Sequence, residues 1–280
     1  MKSLLLAAAL CAALASAAAA EKPRLTIING EAAARTQFPY QAAIYPNLGV
    51  KRNQYDAMIP FCGGSLIHPK WVLTAARCID GFDKWAVLLG ASNAVQAKQD
   101  GRVTMLTNWA AKHPSYDSQR PAYDIGVLQL PREVRLSDTI QVVSLPPSGV
   151  HYAGQRGLLS GYGYTNDQNT GLTVMSSELR YTTLPIVSQY PCFSLWGDAD
   201  PSMMCVEAIG SSGCTGDNGG PLTVNDTLGQ PLQVGVMSQV ACTGGCTLGC
   251  PIFFTRINML YEWLSETTGV NFPLEYPPAA

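Results

Sequence analysis

Residues 61–78 have the sequence FCGGSLIHPKWVLTAARC, in which two short apolar runs lie on either side of a His-Pro turn. Short runs rich in β-branched and aromatic residues, bounded by Gly and Pro, predict β-strands. Comparable runs recur further along the chain, at Trp85-Ala-Val-Leu-Leu, Ile125-Gly-Val-Leu-Gln-Leu and Leu232-Gln-Val-Gly-Val-Met. Regularly spaced short strands with turn residues between them predict an all-β barrel or sandwich.

A single helix is predicted, near the carboxyl end over about residues 256–267. Ile257, Leu260, Tyr261 and Leu264 share one face at helical spacing, and Gly269 follows as a stop signal. The tail at 269–280 contains three prolines after Asn271, and we expect it to lie loose or over the surface.

The first twenty residues predict a secretory signal peptide. Lys2 gives a positive start, residues 4–14 form an apolar run, and the alanines at 17–20 offer a cleavage site. The apolar run is too short to span a membrane. We therefore expect a secreted, extracellular protein whose residues 21–26 form a short leader.

Composition excludes several partner classes. The net charge is -2 and charged residues make up 14% of the chain, so neither a nucleic-acid partner nor an acidic membrane surface is expected. Lys51-Arg52 is the nearest approach to a basic patch, which disfavours heparin binding.

Eight of the nine cysteines lie beyond the signal peptide, because Cys11 is removed with it. An even count in a secreted chain predicts four disulfides, whose pairing the spacing leaves open. Zinc is the competing interpretation for Cys242, Cys246 and Cys250, but no histidine lies near them. We predict no metal and no cofactor.

Three segments together resemble the trypsin/chymotrypsin family of serine proteases. Residues 61–78 resemble the segment that presents the catalytic histidine, Tyr123-Asp-Ile-Gly-Val-Leu-Gln-Leu130 the one that holds the aspartate, and Gly213-Cys-Thr-Gly-Asp-Asn-Gly-Gly-Pro-Leu222 the nucleophile loop. The resemblance extends over residues 27–268 and is greatest to arthropod chymotrypsin- and collagenase-type digestive enzymes. It implies two packed antiparallel Greek-key β-barrels with a C-terminal helix, and a monomer.

Two of the three catalytic positions are substituted. Arg77 stands where the family has histidine, and Asn218 where it has serine; Asp124 keeps the aspartate. The resemblance places His68, His113 and His151 at barrel edges, away from Asp124. Because a lone buried carboxylate is costly, we expect an Arg77–Asp124 ion pair with two parallel hydrogen bonds, and the guanidinium also near the carbonyl oxygen of Asn218.

The resemblance assigns roles to other residues of the nucleophile loop. The backbone N–H groups of Gly216 and Asn218 would form an oxyanion hole. Asp217 would pair with the amino group of Ile27 after activation. Thr26 precedes Ile27, however, and a tryptic cut after Arg24 would leave two residues too many. Either another protease processes the chain or it remains zymogen-like.

The remaining implications concern the specificity pocket and covalent features. Ser212 would lie at the pocket base, with Ser238, Val240 and Ile252 in walls that narrow or fill it. Family pairing implies Cys62–Cys78, Cys192–Cys205 and Cys214–Cys246, which leaves Cys242 for Cys250. The loop after Gly90 lacks the paired glutamates that bind calcium in some relatives. Asn225-Asp-Thr227 is a candidate glycosylation site at a hairpin tip.

These observations predict a non-catalytic serine protease homologue that binds a protein or peptide, such as a protease or protease inhibitor, through the former substrate cleft. The alternative is a chymotrypsin-family endopeptidase with residual or unconventional activity. The short leader resembles that of gut digestive enzymes, which favours a gut-lumen protein or inhibitor decoy over a haemolymph protein of an immune cascade.

Overall fold

The computed structural model describes residues 27–46, 61–165, 175–197, 200–242 and 245–272. The predicted signal peptide and leader, the last eight residues of the tail and Lys51-Arg52 lie outside these ranges. Within them, no helix is long and apolar enough to cross a membrane.

Fourteen strands make up most of the structure, and their bounds follow the chain order. The first eight are β1 (Glu31–Ala32), β2 (Gln41–Pro46), β3 (Cys62–His68), β4 (Trp71–Thr74), β5 (Trp85–Leu89), β6 (Val103–Thr107), β7 (Ala110–Lys112) and β8 (Gly126–Gln129). The other six are β9 (Arg156–Gly161), β10 (Arg180–Val187), β11 (Met203–Val206), β12 (Pro221–Asn225), β13 (Pro231–Val240) and β14 (Ile252–Arg256). The predicted all-β class is confirmed.

The strands form two antiparallel sheets, one from each half of the chain. The first sheet has the order β6-β5-β2-β3-β4-β8-β7 and curves as half a barrel. The second has the order β1-β10-β11-β14-β13-β12-β9, and pairing of β10 with β9 closes six of its strands into a barrel. Chain reversals within each sheet let sequential apolar runs pair, as β3 does with β4 through the His-Pro turn.

Each sheet encloses its own apolar core, because its strands place branched and aromatic side chains inward. In the first sheet β2, β4 and β5 are buried along their whole length. The second core includes Leu159, Leu184, Met237 and Phe254. At about 25 cal/mol per Å² of apolar surface removed from water, such cores are the main stabilising contribution to the fold.

The carboxyl-terminal helix is shorter than predicted. A 3₁₀ turn, Ile257–Met259, precedes α2 (Tyr261–Thr268), because the backbone of Leu260 (φ -125°, ψ 19°) breaks the α-helical path between them. Gly269 adopts a left-handed conformation (φ 67°) and caps α2. Leu264 packs onto the first core, and so does Phe272, so the start of the tail is anchored rather than loose.

A second helix, α1 (Tyr190–Trp196), was not predicted. Four disulfides join Cys62–Cys78, Cys192–Cys205, Cys214–Cys246 and Cys242–Cys250. The first links β3 to the 3₁₀ turn Ala76–Cys78, and the second links α1 to β11. Both therefore fix a short, weakly stabilised segment to a buried strand.

Candidate functional site

Arg77 and Asp124 are brought together at the end of the first sheet. Arg77 lies in the 3₁₀ turn that follows β4, and Asp124 directly precedes β8, which pairs with β4. Asp124 is fully buried, and its carbonyl oxygen accepts a hydrogen bond of 2.8 Å from the hydroxyl of Thr255. Tyr123, just before it, has a left-handed backbone (φ 53°), which is strained for an aromatic residue.

The carboxylate of Asp124 is saturated with donors. Its Oδ2 accepts from Nε of Arg77 and, at 2.7 Å, from the hydroxyl of Ser238, while its Oδ1 accepts from the backbone N–H of Arg77 at 2.9 Å. The terminal nitrogens of Arg77 donate to Gln239 Oε1 at 2.8 Å and to the Ser238 hydroxyl at 3.2 Å. The ion pair thus uses one guanidinium N–H and not the expected parallel pair, because Ser238 and the main chain already occupy the other acceptor positions.

Asn218 makes contacts that differ from the expected approach to Arg77. Its side-chain nitrogen donates to the carbonyl oxygen of Ser238 at 2.5 Å. Its side-chain oxygen accepts from the backbone N–H of Gly216 at 3.3 Å. The carbonyl oxygen of Asn218 accepts from the N–H of Gly63 at 2.8 Å, which ties the loop to β3. The amide of Asn218 therefore already occupies one of the two expected oxyanion-hole donors.

Two glycines are required by the shape of this loop. Gly216 has φ 97°, and a Cβ there would lie 2.5 Å from the methyl group of Met175. Gly219 has φ 79°, and a Cβ there would lie 2.2 Å from the hydroxyl oxygen of Thr74. Only glycine accommodates both the positive φ and the close approach.

Asp217 is fully buried and holds the loop from inside. Its carboxylate accepts from the backbone N–H groups of Gly163, at 2.7 Å, and Cys214, at 3.0 Å. Burial raises the pKa of Asp217 to about 7, although these two hydrogen bonds lower it. No cation is paired with this carboxylate within the described ranges.

Ile27 lies at the same end of the second barrel as Asp217. Ile27 is fully buried, and the carbonyl oxygen of Ile28 accepts from the N–H of Ser212 at 3.2 Å. Ile28 also packs against Cys214, whose N–H bonds to Asp217. Residues 27 and 28 are therefore inserted beside the nucleophile loop.

A cavity of about 420 Å³ opens beside these groups. Its lining residues come from the nucleophile loop, β13 and the disulfide-linked loop after it, together with one residue of the first sheet: Arg77, Cys214, Thr215, Asn218, Met237, Gln239, Val240, Cys242, Gly245 and Cys246. Of the four predicted pocket residues, Val240 is in this lining. Ser238 turns its hydroxyl to Asp124, Ser212 bonds to the carbonyl oxygen of Gly213 at 2.8 Å, and Ile252 is buried in the second core.

The histidines do not supply a replacement base. His113 lies nearer to Asp124 than expected, because its N–H bonds to Ile125 and its ring stacks on Tyr123 at 4.8 Å. Its Nδ1, however, accepts from the N–H of Ser115. His68 bonds to Lys70 and His151 to Arg256. In the described part of the chain, no imidazole is hydrogen-bonded to Asp124, and no group of acidic, histidine or cysteine side chains could hold a metal ion.

The contact between Gln239 and Arg77 was missed from the sequence. Position 239 was noted as a departure from the family's wall strand, which was the available signal, but its partner lies 162 residues away. Asn225 ends β12 and is exposed beside the turn to β13, so the glycosylation triplet lies at a hairpin tip.

Comparison with known proteins identifies relatives over nearly the whole chain. The Trypsin family profile matches residues 27–264. The chain is 34% identical to brachyurin of Leptuca pugilator over 246 residues, which covers 88% of this chain and 100% of that protein. It is 32% identical to a chymotrypsin of Phaedon cochleariae (86% and 82% covered) and 31% identical to human chymotrypsin-like elastase family member 3B (88% and 90% covered). With this fold, four disulfides and the matching segments around residues 77, 124 and 218, the chain belongs to the trypsin family.

Proposed function

We propose that this protein is a secreted, non-catalytic member of the trypsin family that binds a protein or peptide through the former substrate cleft. The observation that carries the proposal is the occupation of Asp124 by Arg77 and Ser238. In the active members of the family, that carboxylate orients the imidazole that serves as general base. Here a guanidinium takes the place of the imidazole.

The chemistry of the substituted residues argues against peptide hydrolysis. A general base must accept a proton from the nucleophile, and a guanidinium stays protonated at any working pH. The amide nitrogen of Asn218 has its lone pair delocalised into the carbonyl group and is no nucleophile. Loss of a single triad residue lowers turnover by about four to six orders of magnitude, and two roles are missing here.

Retained binding features support the second half of the proposal. The cavity beside Asn218 is open, and the loop geometry around Gly216 is kept by two obligatory glycines. Four disulfides fit an oxidising compartment outside the cell. A protease or a protease inhibitor is the partner class that such a cleft suits, because these proteins present extended peptide segments.

The alternative is an endopeptidase with residual or unconventional activity. The relatives named chymotrypsin and elastase favour it, because they share the fold and about a third of the residues. Fold alone does not carry function, however. The alternative requires an activated nucleophile, and that requirement separates the two proposals.

Covalent labelling tests the proposal. We expect the purified mature protein to show no stoichiometric reaction with a fluorophosphonate probe, because it has no activated hydroxyl. Intact mass spectrometry reads the adduct, and active chymotrypsin in the same buffer serves as the positive control. Labelling of one residue per molecule, mapped by peptide sequencing, would show that the protein is an enzyme after all.

A further inference from the structure

Three N–H groups at the cavity have no acceptor within the described residues. A guanidinium carries five N–H donors, and Arg77 uses three of them, on Asp124, Ser238 and Gln239. Two therefore remain, on a side chain that is 24% exposed. The backbone N–H of Asn218 also has no acceptor there, whereas the adjacent N–H groups of Asp217, Gly219 and Gly220 are all bonded.

The cavity presents these donors without a competing carboxylate. Arg77 and Asn218 both line it, and Asp124 does not, since the aspartate is fully buried behind the arginine. The other walls are supplied by Met237, Val240 and the sulfur-containing loop. An occupant is therefore expected to carry oxygen acceptors at one end and a side chain that fills a mixed apolar and polar space.

The position of Arg77 decides which end of a peptide fits. In the active members of the family, the base at this position transfers its proton to the leaving amine, so it faces the nitrogen that follows the scissile carbonyl. A peptide that continues past this point would present an N–H donor to the N–H donors of Arg77. A peptide that ends here presents carboxylate oxygens, which can accept from both Arg77 and the backbone of Asn218.

We propose that the cleft selects peptides that end in a free α-carboxylate at this position, that is, products of proteolysis rather than uncut chains. The inference rests on the proposed function and names its ligand class. The carboxylate would form charge-assisted hydrogen bonds, which are roughly twice as strong as neutral ones. The 3.3 Å contact between Asn218 Oδ1 and the N–H of Gly216 is long enough to be displaced by a ligand oxygen.

Matched peptide pairs test this selection. The probes are tripeptides fluorescein-Ala-Ala-X, with X varied over the standard residues, each made as the free acid and as the C-terminal amide. Fluorescence polarisation should show that, for the best X, the acid binds at least about tenfold more tightly than the amide. Intact peptides extended by two residues beyond X should bind as weakly as the amide.

Variants separate the contribution of the arginine from general effects. Arg77→Gln should remove most of the difference between acid and amide. Arg77→Gln with Asp124→Asn should do the same in a protein that keeps its buried site neutral, so a folding defect of the single variant does not obscure the result. Arg135→Gln, at an exposed arginine of the first half, is the matched control and should leave the difference unchanged.

The failures of the two proposals are distinguishable. Equal affinity for acid and amide, or an undiminished difference in the Arg77 variants, would overturn the carboxylate selection and leave peptide binding in place. Binding of neither form would overturn the selection and count against peptide binding through the cleft. Cleavage of the extended peptides during the titration, detected by mass spectrometry, would contradict the proposed function itself.

Discussion

At the residue scale, the former catalytic centre has become a hydrogen-bonded cluster. Arg77 belongs to the first half of the chain, and its terminal nitrogens bond to Ser238 and Gln239 of the second half. A buried charge is tolerated only when it is paired and its remaining acceptors are bonded. Asp124 meets both conditions, with three donors on its two oxygens.

Removal of the arginine should therefore destabilise the protein. We expect Arg77→Ala to lower the free energy of unfolding by about 3 kcal/mol, the lower end of the usual range for a broken buried pair, because Arg77 is partly exposed. Urea denaturation of parent and variant measures the loss. Arg135→Ala, at an exposed site, should change it by less than about 0.5 kcal/mol.

The double variant checks the mechanism of this loss. Arg77→Ala combined with Asp124→Ala removes the unpaired charge, so much of the lost stability should return. If Arg77→Ala proves as stable as the parent, or if the double variant is less stable than the sum of the single ones, the ion pair contributes nothing and the site is merely vacant.

At the element scale, pattern and structure agree where strands are long and apolar. The run Trp71-Val-Leu-Thr became β4 without a shift, and the run at Trp85 became β5. The helix α1 was missed because seven residues give too little periodicity. Its signals were local: Pro191 near the start, and Gly197 in a left-handed conformation at the end. The contacts of Ser238 and Gln239 with Arg77 depend on how the two halves pack, which no local pattern encodes.

The loop closed by Cys242–Cys250 is the element whose contribution can be isolated. Its two cysteines are 8 residues apart, and closure of a loop of that size stabilises a fold by about 2.5 kcal/mol in the chain-entropy picture. We expect Cys242→Ser with Cys250→Ser to lower the free energy of unfolding by that amount. Because Cys242 lines the cavity, peptide affinity should also fall.

The pair Cys214–Cys246 provides the comparison. It is separated by 32 residues, so its removal should cost more, about 3.7 kcal/mol by the same relation. Denaturant titration under non-reducing conditions measures both double variants. A larger loss for the Cys242–Cys250 pair would mean that this loop stabilises the fold through native packing and not through chain entropy.

At the scale of the whole molecule, the two halves are joined at the site and at the amino end. Ile27 is fully buried although it follows the leader, and its backbone has φ 24°, a strained value for a β-branched residue. Near it, Asp217 is buried without a cation among the described residues. The uncut chain therefore contains two unfavourable features at one place, and a cut at Thr26–Ile27 would remove both.

The pKa of Asp217 makes this testable through stability. Its folded value of about 7 lies above the ordinary value of 3.8, so between these values the folded state binds more protons than the unfolded state. Stability of the leader-bearing form should therefore fall as pH rises from about 4 to about 7. A new ammonium group at Ile27 would favour the charged carboxylate and lower its pKa, which removes this trend.

Two forms of the protein, one starting at Glu21 and one at Ile27, isolate the effect, because all other titrating groups are common to both. We expect the difference in unfolding free energy between them to grow in favour of the Ile27 form from pH 4 to pH 7, as measured by urea denaturation at each pH. A form starting at Ile28 lacks the inserted residue and should behave like the leader-bearing one. Parallel pH curves for the Glu21 and Ile27 forms would mean that the new amino group does not reach Asp217, and that the loop holding Asn218 is stabilised by its backbone hydrogen bonds alone.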